Sequence, residues 1–289
     1  MPELPEVESI RLYLEKEIVG KRIEHFKVMT QRSFFGNKSS IFGKVVKSIR
    51  RKGKVLHIII GEPDIFLSIH LKLSGQLLYS KDKNDSVFTN NIPMANSNKM
   101  PGKTTRIIIE FDDDSVLYFN DLRKFGWIKQ NEFPIEPLGV DILSILFTKK
   151  YLSKCFIKTQ RPIKTVLLDQ TIIAGIGNIY ANDSLWLAGI HPSVKSSTLN
   201  NYQINKLHNS ILSIINESLQ KSGSSAKDEL YVLPDGTKGN YQNDFKVYQQ
   251  TDKPCIKCNS TIVNIKISGR GTFFCPKCQV EDRNRKTLF

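Results

Sequence analysis

Four of the five cysteines fall near the end of the chain as Cys255-x2-Cys258 and Cys275-x2-Cys278, with sixteen residues between the pairs. Two thiolate pairs on tight turns, joined by a hairpin, make a tetrahedral four-sulfur site of the kind Zn²⁺ takes. All four positions are filled by protein, so the one ion expected there is structural rather than catalytic. Cys155, the fifth, reads as a reduced core thiol. At the other end, Pro2 stands directly behind Met1. Removal of Met1 would leave a secondary amine, and a terminal amine with a reference pKa of about 8 is partly an unprotonated nucleophile at neutral pH. Its attack on an aldehyde carbon gives a charged iminium, an electron sink that labilises the neighbouring C–H bond. Glu3 is placed to donate or accept protons beside it. Taken alone, the same Pro2 also reads as the start of a helix. Gly175-x-Gly177-Asn178 lacks the third glycine and the βαβ setting of a dinucleotide fingerprint, which excludes that cofactor class.

These groups need elements to hold them. Val7, Ile10, Leu14 and Ile18 recur at helical spacing, with Pro5 near the start and Gly20 as a stop, predicting one amphipathic helix. The stretches 22–30, 55–60, 65–71, 105–111 and 116–119 are β-rich and split by Gly, Pro and Asp turns. Short strands without intervening helices predict an antiparallel sandwich or barrel. Residues 80–103 are polar and read as a long mobile loop. Phe133-Pro134-Ile135-Glu136-Pro137 is a stiff extended hinge. Residues 141–220 read as helices, one of them over 200–219, and 222–244 as another loop. The expected organisation is a β domain over 1–132, a hinge over 133–142, a helical domain over 143–245 and a zinc hairpin over 246–289.

Composition narrows the partners. Of the 289 residues, 40% are apolar and 24% charged, ordinary globular values that exclude a collagen, a coiled coil or a disordered tail as the main body. No apolar run approaches the roughly 18 residues of a spanning helix. The acidic opening is not a secretory signal, so cysteines paired as disulfides are not expected. The expected compartment is the cytoplasm or nucleoid, or the nucleus or an organelle of a eukaryote. Lys plus Arg total 42 against 28 acidic residues, a net charge of +14. Such a chain favours a polyanion. No basic amphipathic helix or lipidation signal supports a membrane surface, so nucleic acid is the expected partner.

The opening Met1-Pro2-Glu3-Leu4-Pro5-Glu6-Val7-Glu8 resembles the start of the Fpg/Nei family of DNA glycosylases with AP-lyase activity. In the family's order follow Lys52-Gly53-Lys54, His70-Leu71-Lys72-Leu73-Ser74-Gly75, Asn120-Asp121-Leu122-Arg123-Lys124-Phe125-Gly126 and Gly175-Ile176-Gly177-Asn178-Ile179-Tyr180-Ala181. The zinc tail with Gly269-Arg270-Gly271-Thr272-Phe273-Phe274-Cys275 closes the series. The resemblance spans nearly the whole chain, and Leu4 resembles the Fpg branch, where Nei proteins usually carry Gly. It implies an α+β fold: an N-terminal helix with a two-sheet antiparallel β-sandwich, then a helix–two-turns–helix domain with the zinc hairpin.

The resemblance also implies roles. The Pro2 amine would attack C1′ of a damaged nucleotide turned out of the stack, with Glu3 assisting sugar ring opening. Lys54, on a strand after a basic turn, would contact phosphate and aid elimination. Leu73, Arg123 and Phe125 would fill the vacated space, two as wedges and Arg123 as reader of the opposite base. Asn178 and Arg270 would bind phosphates, with Lys164 and His70 along the same groove, in a basic cleft between the domains. The implied activity is excision of oxidised purines, 8-oxoguanine and formamidopyrimidines, from double-stranded DNA by a monomer, followed by β,δ-elimination. A Nei-like preference for oxidised pyrimidines and a non-catalytic lesion-binding module are the alternatives. Several positions depart from the family. Leu73 stands where Met is usual, Thr104 and Thr105 where many members have His, and Asp183 where Glu is common. Residues Ser222 to Asp228 match only partly the loop that covers an oxidised purine, and the 80–103 segment is atypically long.

Overall fold

The computed structural model describes residues 1–93, 97–226 and 230–281, which divide into two compact units. The first holds residues 1–136 and 218–242, the second 137–217 and 243 onward. Segment 218–242 thus falls with the β unit, whereas the sequence boundaries grouped it with the helices.

The first unit opens with α1 (Leu4–Ile18), whose Pro5 lies in the first turn, where a missing N–H leaves no bond unmade. The predicted stripe Val7, Ile10, Leu14 and Ile18 is buried. Nine strands follow among the described residues: β1 (Ile23–Val28), β2 (Phe34–Phe35), β3 (Val46–Lys52), β4 (Val55–Ile60), β5 (Ile65–His70), β6 (Gly75–Ser80), β7 (Thr105–Phe111), β8 (Val116–Asp121) and β9 (Trp127–Asn131). They form a four-stranded sheet in the order β1-β7-β8-β6 and a five-stranded sheet in the order β2-β9-β5-β4-β3. All pairings are antiparallel except β2 with β9. The α1 stripe shares one core with both sheets, including Phe26, Ile58, Ile69, Leu77, Ile107, Phe119 and Ile128. Strands β2, β3, β6 and β9 escape the sequence reading. Strand β3 is mostly Lys and Arg with only Val46 and Ile49 fully buried, and β6 begins on a Gly.

The four-stranded sheet is buried on both faces. Leu77, Ile107, Ile109, Leu117 and Phe119 enter the main core, whereas the alternate residues Leu78, Ile108, Val116 and Tyr118 point to the opposite face. There they meet Phe88, Ile92, Met100 and Val232 in a second apolar cluster. This corrects the expectation of a mobile 80–103 loop. The described part is a folded lobe in which Val87 and Lys99 bridge antiparallel and Met100 N–H donates to the Ser86 carbonyl at 2.8 Å. The Tyr118 hydroxyl lies 2.9 Å from Ser86 Oγ. Residues 94–96 of that expectation lie outside the described residues.

In the second unit, β10 (Val140–Asp141) pairs in parallel with β11 (Ile173–Ala174), among helices α2 (Lys149–Phe156), α3 (Ile163–Leu167), α4 (Asn178–Ala188) and α5 (Asn201–Gln220). The hairpin β12 (Val263–Ile267) and β13 (Arg270–Phe274) follows. Cys155, expected in the core, is only half-buried on α2. No helix of the described residues is long and apolar enough to cross a membrane. Asp183, buried on α4, accepts the backbone N–H groups of Lys246, Val247 and Tyr248 at 3.1, 3.0 and 3.1 Å, fixing the chain that leads to the hairpin. Removing that carboxylate strands buried donors, so Asp183→Ala is expected to cost about 2–4 kcal/mol in equilibrium denaturation. A loss below about 0.5 kcal/mol, the scale of a neutral surface change, contradicts it.

Candidate nucleic-acid and catalytic site

Pro2 and Glu3, both buried, sit at the head of α1. Glu6 holds this end in place. It is fully buried, its Oε2 accepts the Glu3 N–H at 2.7 Å, and its Oε1 accepts the Ser224 N–H at 2.8 Å. The chain reaches Glu6 so closely at Gly223 that a Cβ there would lie 2.7 Å from Oε1, and Gly223 has φ +80°. Within the first unit the segment 222–226 is therefore tied to the N-terminus. Its expected continuation Lys227-Asp228 lies outside the described residues.

Lys54 lies in the tight turn between β3 and β4 rather than on a strand as expected, behind the left-handed Gly53 (φ 58°), and is buried. Arg51 braces this turn, donating to the Gly53 carbonyl at 3.0 Å and to Glu8 on α1 at 2.7 Å. Burial pushes the Glu8 carboxyl up, but hydrogen bonds from Arg11 and Arg51 outweigh it and hold the pKa below the usual range. The hairpin that presents Lys54 is thereby keyed to the helix that presents Pro2.

His70, at the end of β5, accepts the Lys72 N–H on Nδ1 at 2.9 Å, leaving Nε2 to carry the proton. Burial, then the charges of Lys72 and Lys54, lower its pKa to about 3. It is a neutral hydrogen-bond donor amid cations. Leu73 and Phe125 are 44% and 58% exposed, high for apolar side chains. Each follows a left-handed lysine, Lys72 (φ 54°) and Lys124 (φ 57°). Asp121 joins the two turns. Its carboxylate accepts from Ser74 Oγ, from the Arg123 N–H at 3.1 Å and from the Gly126 N–H at 2.6 Å. The Arg123 N–H also reaches Ser74 Oγ at 3.0 Å. Leu73, Arg123 and Phe125 are thus presented by one buried carboxylate. Asp121, Ser74 and Glu6 belong to motifs legible in the sequence, but their roles were not foreseen. Thr104 and Thr105 are buried, and Thr105 Oγ1 lies 2.8 Å from Asn120 Oδ1.

In the second unit, Asn178 opens α4 and donates to the Gly271 carbonyl at 3.1 Å. Arg270, exposed, begins β13 just past the left-handed Ser268-Gly269 turn. Lys164 departs from expectation. It is fully buried, and its ammonium donates to the same Gly271 carbonyl at 2.7 Å and to Thr272 Oγ1 at 2.8 Å. Desolvating an ammonium requires such partners, so Lys164 is a strut under the hairpin rather than an exposed phosphate ligand. Asn178 and Lys164 both position the backbone beside Arg270.

The four cysteine sulfurs lie within 4.8 Å of one another. The distances Cys258–Cys275 and Cys258–Cys278 are 3.4 Å, and Cys255–Cys278 is 3.9 Å. Zn–S bonds of about 2.3 Å in a tetrahedron place sulfurs about 3.8 Å apart, so the set fits zinc. Trp186 and Ile262 pack against it.

Three family models match: the formamidopyrimidine-DNA glycosylase N-terminal domain over residues 1–128, the formamidopyrimidine-DNA glycosylase H2TH domain over 138–229, and the zinc finger found in FPG and IleRS over 252–280. A formamidopyrimidine-DNA glycosylase of Streptococcus pyogenes is 34% identical, covering 96% of this chain and 98% of its own. The chain belongs to the formamidopyrimidine-DNA glycosylase family. Among solved structures, Lactococcus lactis Fpg in complex with DNA containing an abasic site has a TM-score of 0.81 at 32% identity, covering 96% of this chain and all of that one. The same glycosylase bound to DNA containing N7-benzyl-Fapy-dG gives 0.82 at 33% identity, covering 97% of this chain and all of that one. As in the family's zinc finger, the ion is structural.

Zinc binding is folding free energy for so small a hairpin. Cys258→Ser is expected to release the metal, measured by atomic absorption, and to abolish protection of the β12–β13 amides while the β-sandwich amides stay protected. Retention of one zinc per chain contradicts this. A second expectation concerns pH. His57, buried on β4, also has its pKa lowered, to about 4, mainly by burial. The folded protein keeps both histidines neutral, whereas the unfolded chain protonates them below about 6.5. Their contribution to stability is therefore complete above that pH and is lost progressively toward pH 3–4. The imidazole resonances of His57 and His70 should not titrate between pH 8 and 5.5, and a midpoint above pH 6 for either contradicts the assignment.

Proposed function

We propose that this member of the family is a bifunctional base-excision enzyme that removes oxidised purines, 8-oxoguanine and formamidopyrimidines, from duplex DNA. It then cleaves the strand at the resulting site. The observation that carries the reading is the buried Pro2-Glu3 head of α1, locked by Glu6 and braced to the Lys54 turn through Glu8 and Arg51. A nucleophile needs such fixed geometry. Nearly full-length likeness to formamidopyrimidine-DNA glycosylases supports it.

Once Met1 is removed, the Pro2 nitrogen lone pair attacks C1′ and the bond to the damaged base breaks, the base leaving with a proton. Glu3 protonates the ring oxygen as the sugar opens, giving an iminium. Glu3, ionised by that transfer, takes a C2′ proton, the C–H electrons flow through the iminium and the 3′ phosphate is expelled; loss of the C4′ proton then expels the 5′ phosphate. Lys54 and neutral His70 bind the phosphates nearest the sugar. The described residues 222–226, with the returning residues 230–242 behind them, cover the extruded base, Leu73 and Phe125 fill its place, and Arg123 hydrogen-bonds the base left opposite. Asn178 and Arg270 hold backbone phosphates, with Lys164 supporting them from beneath. Damaged DNA places the enzyme at the nucleoid, in the cytoplasm.

Borohydride reduction during turnover on an 8-oxoguanine duplex should trap a covalent complex. Mass spectrometry should then map the DNA to a Met-free N-terminal peptide, and Pro2→Gly should trap far less. An adduct on Lys54 overturns the assignment of the nucleophile. Faster trapping on a thymine-glycol duplex overturns the purine preference.

A further inference from the structure

The folded lobe of residues 86–93 and 97–101 does more than cover the outer face of the four-stranded sheet. Phe88 and Ile92 also meet the segment that returns to the N-terminus. Val232 packs in their cluster, and a Cβ on Gly236 would lie 3.1 Å from both Ile92 Cδ1 and Phe88 Cδ1. Gly236, at φ +82°, closes a turn in which its N–H donates to the Leu233 carbonyl at 2.9 Å and the Leu233 N–H to the Thr237 carbonyl at 2.8 Å. The other side of this segment is held by β6. The Tyr79 N–H donates to the Pro234 carbonyl at 2.7 Å, and Gln76 Nε2 to the Leu230 carbonyl at 2.5 Å. Tyr231 inserts into the main core. Further along, the Asn240 N–H donates to the Lys221 carbonyl and the Tyr241 N–H to the Gly223 carbonyl, both at 2.9 Å. Those bonds lead to Gly223 and Ser224, which Glu6 holds beside Glu3. An unbroken series of packed contacts thus runs from the lobe to the head of α1.

We propose that this lobe is a specificity-determining buttress: by wedging Phe88 and Ile92 against the 232–236 turn it fixes the segment that covers the base to be excised. The inference rests on the reading of residues 222–226 and 230–242 given above. It separates two half-reactions. Base release needs the cover in register, whereas an abasic site has no base to cover. Phe88 and Ile92, buried in their own apolar cluster, act through the turn.

The test compares the parent protein with the double variant Phe88→Ala/Ile92→Ala, with Phe88→Leu, and with Val87→Ala on the exposed side of the lobe. Single-turnover release of 8-oxoguanine is measured beside nicking of a duplex carrying a preformed abasic site. Misplacement by about 1 Å costs a reacting geometry up to about a hundredfold, so release should fall at least tenfold in the double variant. Nicking should stay within twofold, Phe88→Leu should recover most of the release rate, and Val87→Ala should match the parent. Equal loss of release and nicking, or no loss of either, overturns the proposal. Hydrogen exchange supplies a readout free of activity. The Tyr79, Leu233 and Gly236 amides should exchange faster in the double variant while those of β4 and β5 do not, and unchanged exchange at all three also overturns it. A parent that releases no base defeats the functional reading instead, and the exchange data still decide whether the buttress exists.

Discussion

A single buried carboxylate, that of Glu6, fixes the working end of the β unit. An ion taken out of water is tolerable only when hydrogen bonds replace its hydration. Glu6 meets that condition with backbone N–H groups from Glu3 and Ser224, residues far apart in the chain. Charge-assisted bonds of this type are short and strong. The cost of leaving Glu6 unsatisfied therefore holds the N-terminus and the returning segment together. It also explains Gly223, since any side chain there would collide with Glu6. Asp121 and Asp183 repeat the device, Asp121 taking the Ser74 hydroxyl with the Arg123 and Gly126 N–H groups, and Asp183 three successive N–H groups of the chain before the hairpin. Three carboxylates, none of them exposed, set the positions of the N-terminus, of the two turns that expose Leu73 and Phe125, and of the chain that leads to the zinc hairpin.

Much of this was legible in the residues. The α1 stripe, the zinc pairs and the strands 55–60 and 105–111 follow from periodicity and spacing, because local pattern and global burial agree there. Strand β3 was hidden by its Lys and Arg content, since a half-buried edge needs few apolar residues. The 80–103 segment misled for a related reason. Its polar letters outnumber Phe88, Ile92 and Met100, yet the run Ile107-Ile108-Ile109 already signalled a strand buried on both faces. Something had to cover the outer face. Lys164 illustrates the opposite failure, for nothing in a sequence distinguishes an ammonium that meets solvent from one that meets two buried oxygens.

The electrostatics of the site combine excess positive charge with one deliberate neutrality. Lys54 and Lys72 surround His70, and burial with their charges keeps the imidazole uncharged. A neutral imidazole adds nothing to the repulsion among its cationic neighbours. The turns that carry Leu73 and Phe125 follow the same division of labour. Left-handed lysines shape the turns, and the apolar residues after them stay exposed because Asp121 anchors the backbone on either side.

The bond from Tyr79 to Pro234 has a consequence outside catalysis. Strand β6 ends its sheet, and a free edge invites another chain to add a strand. Here the outer rim of β6 is occupied by a segment that includes a proline, a residue with no N–H to extend a ladder. The same stretch of chain that returns toward the N-terminus thereby shields the sheet from self-association.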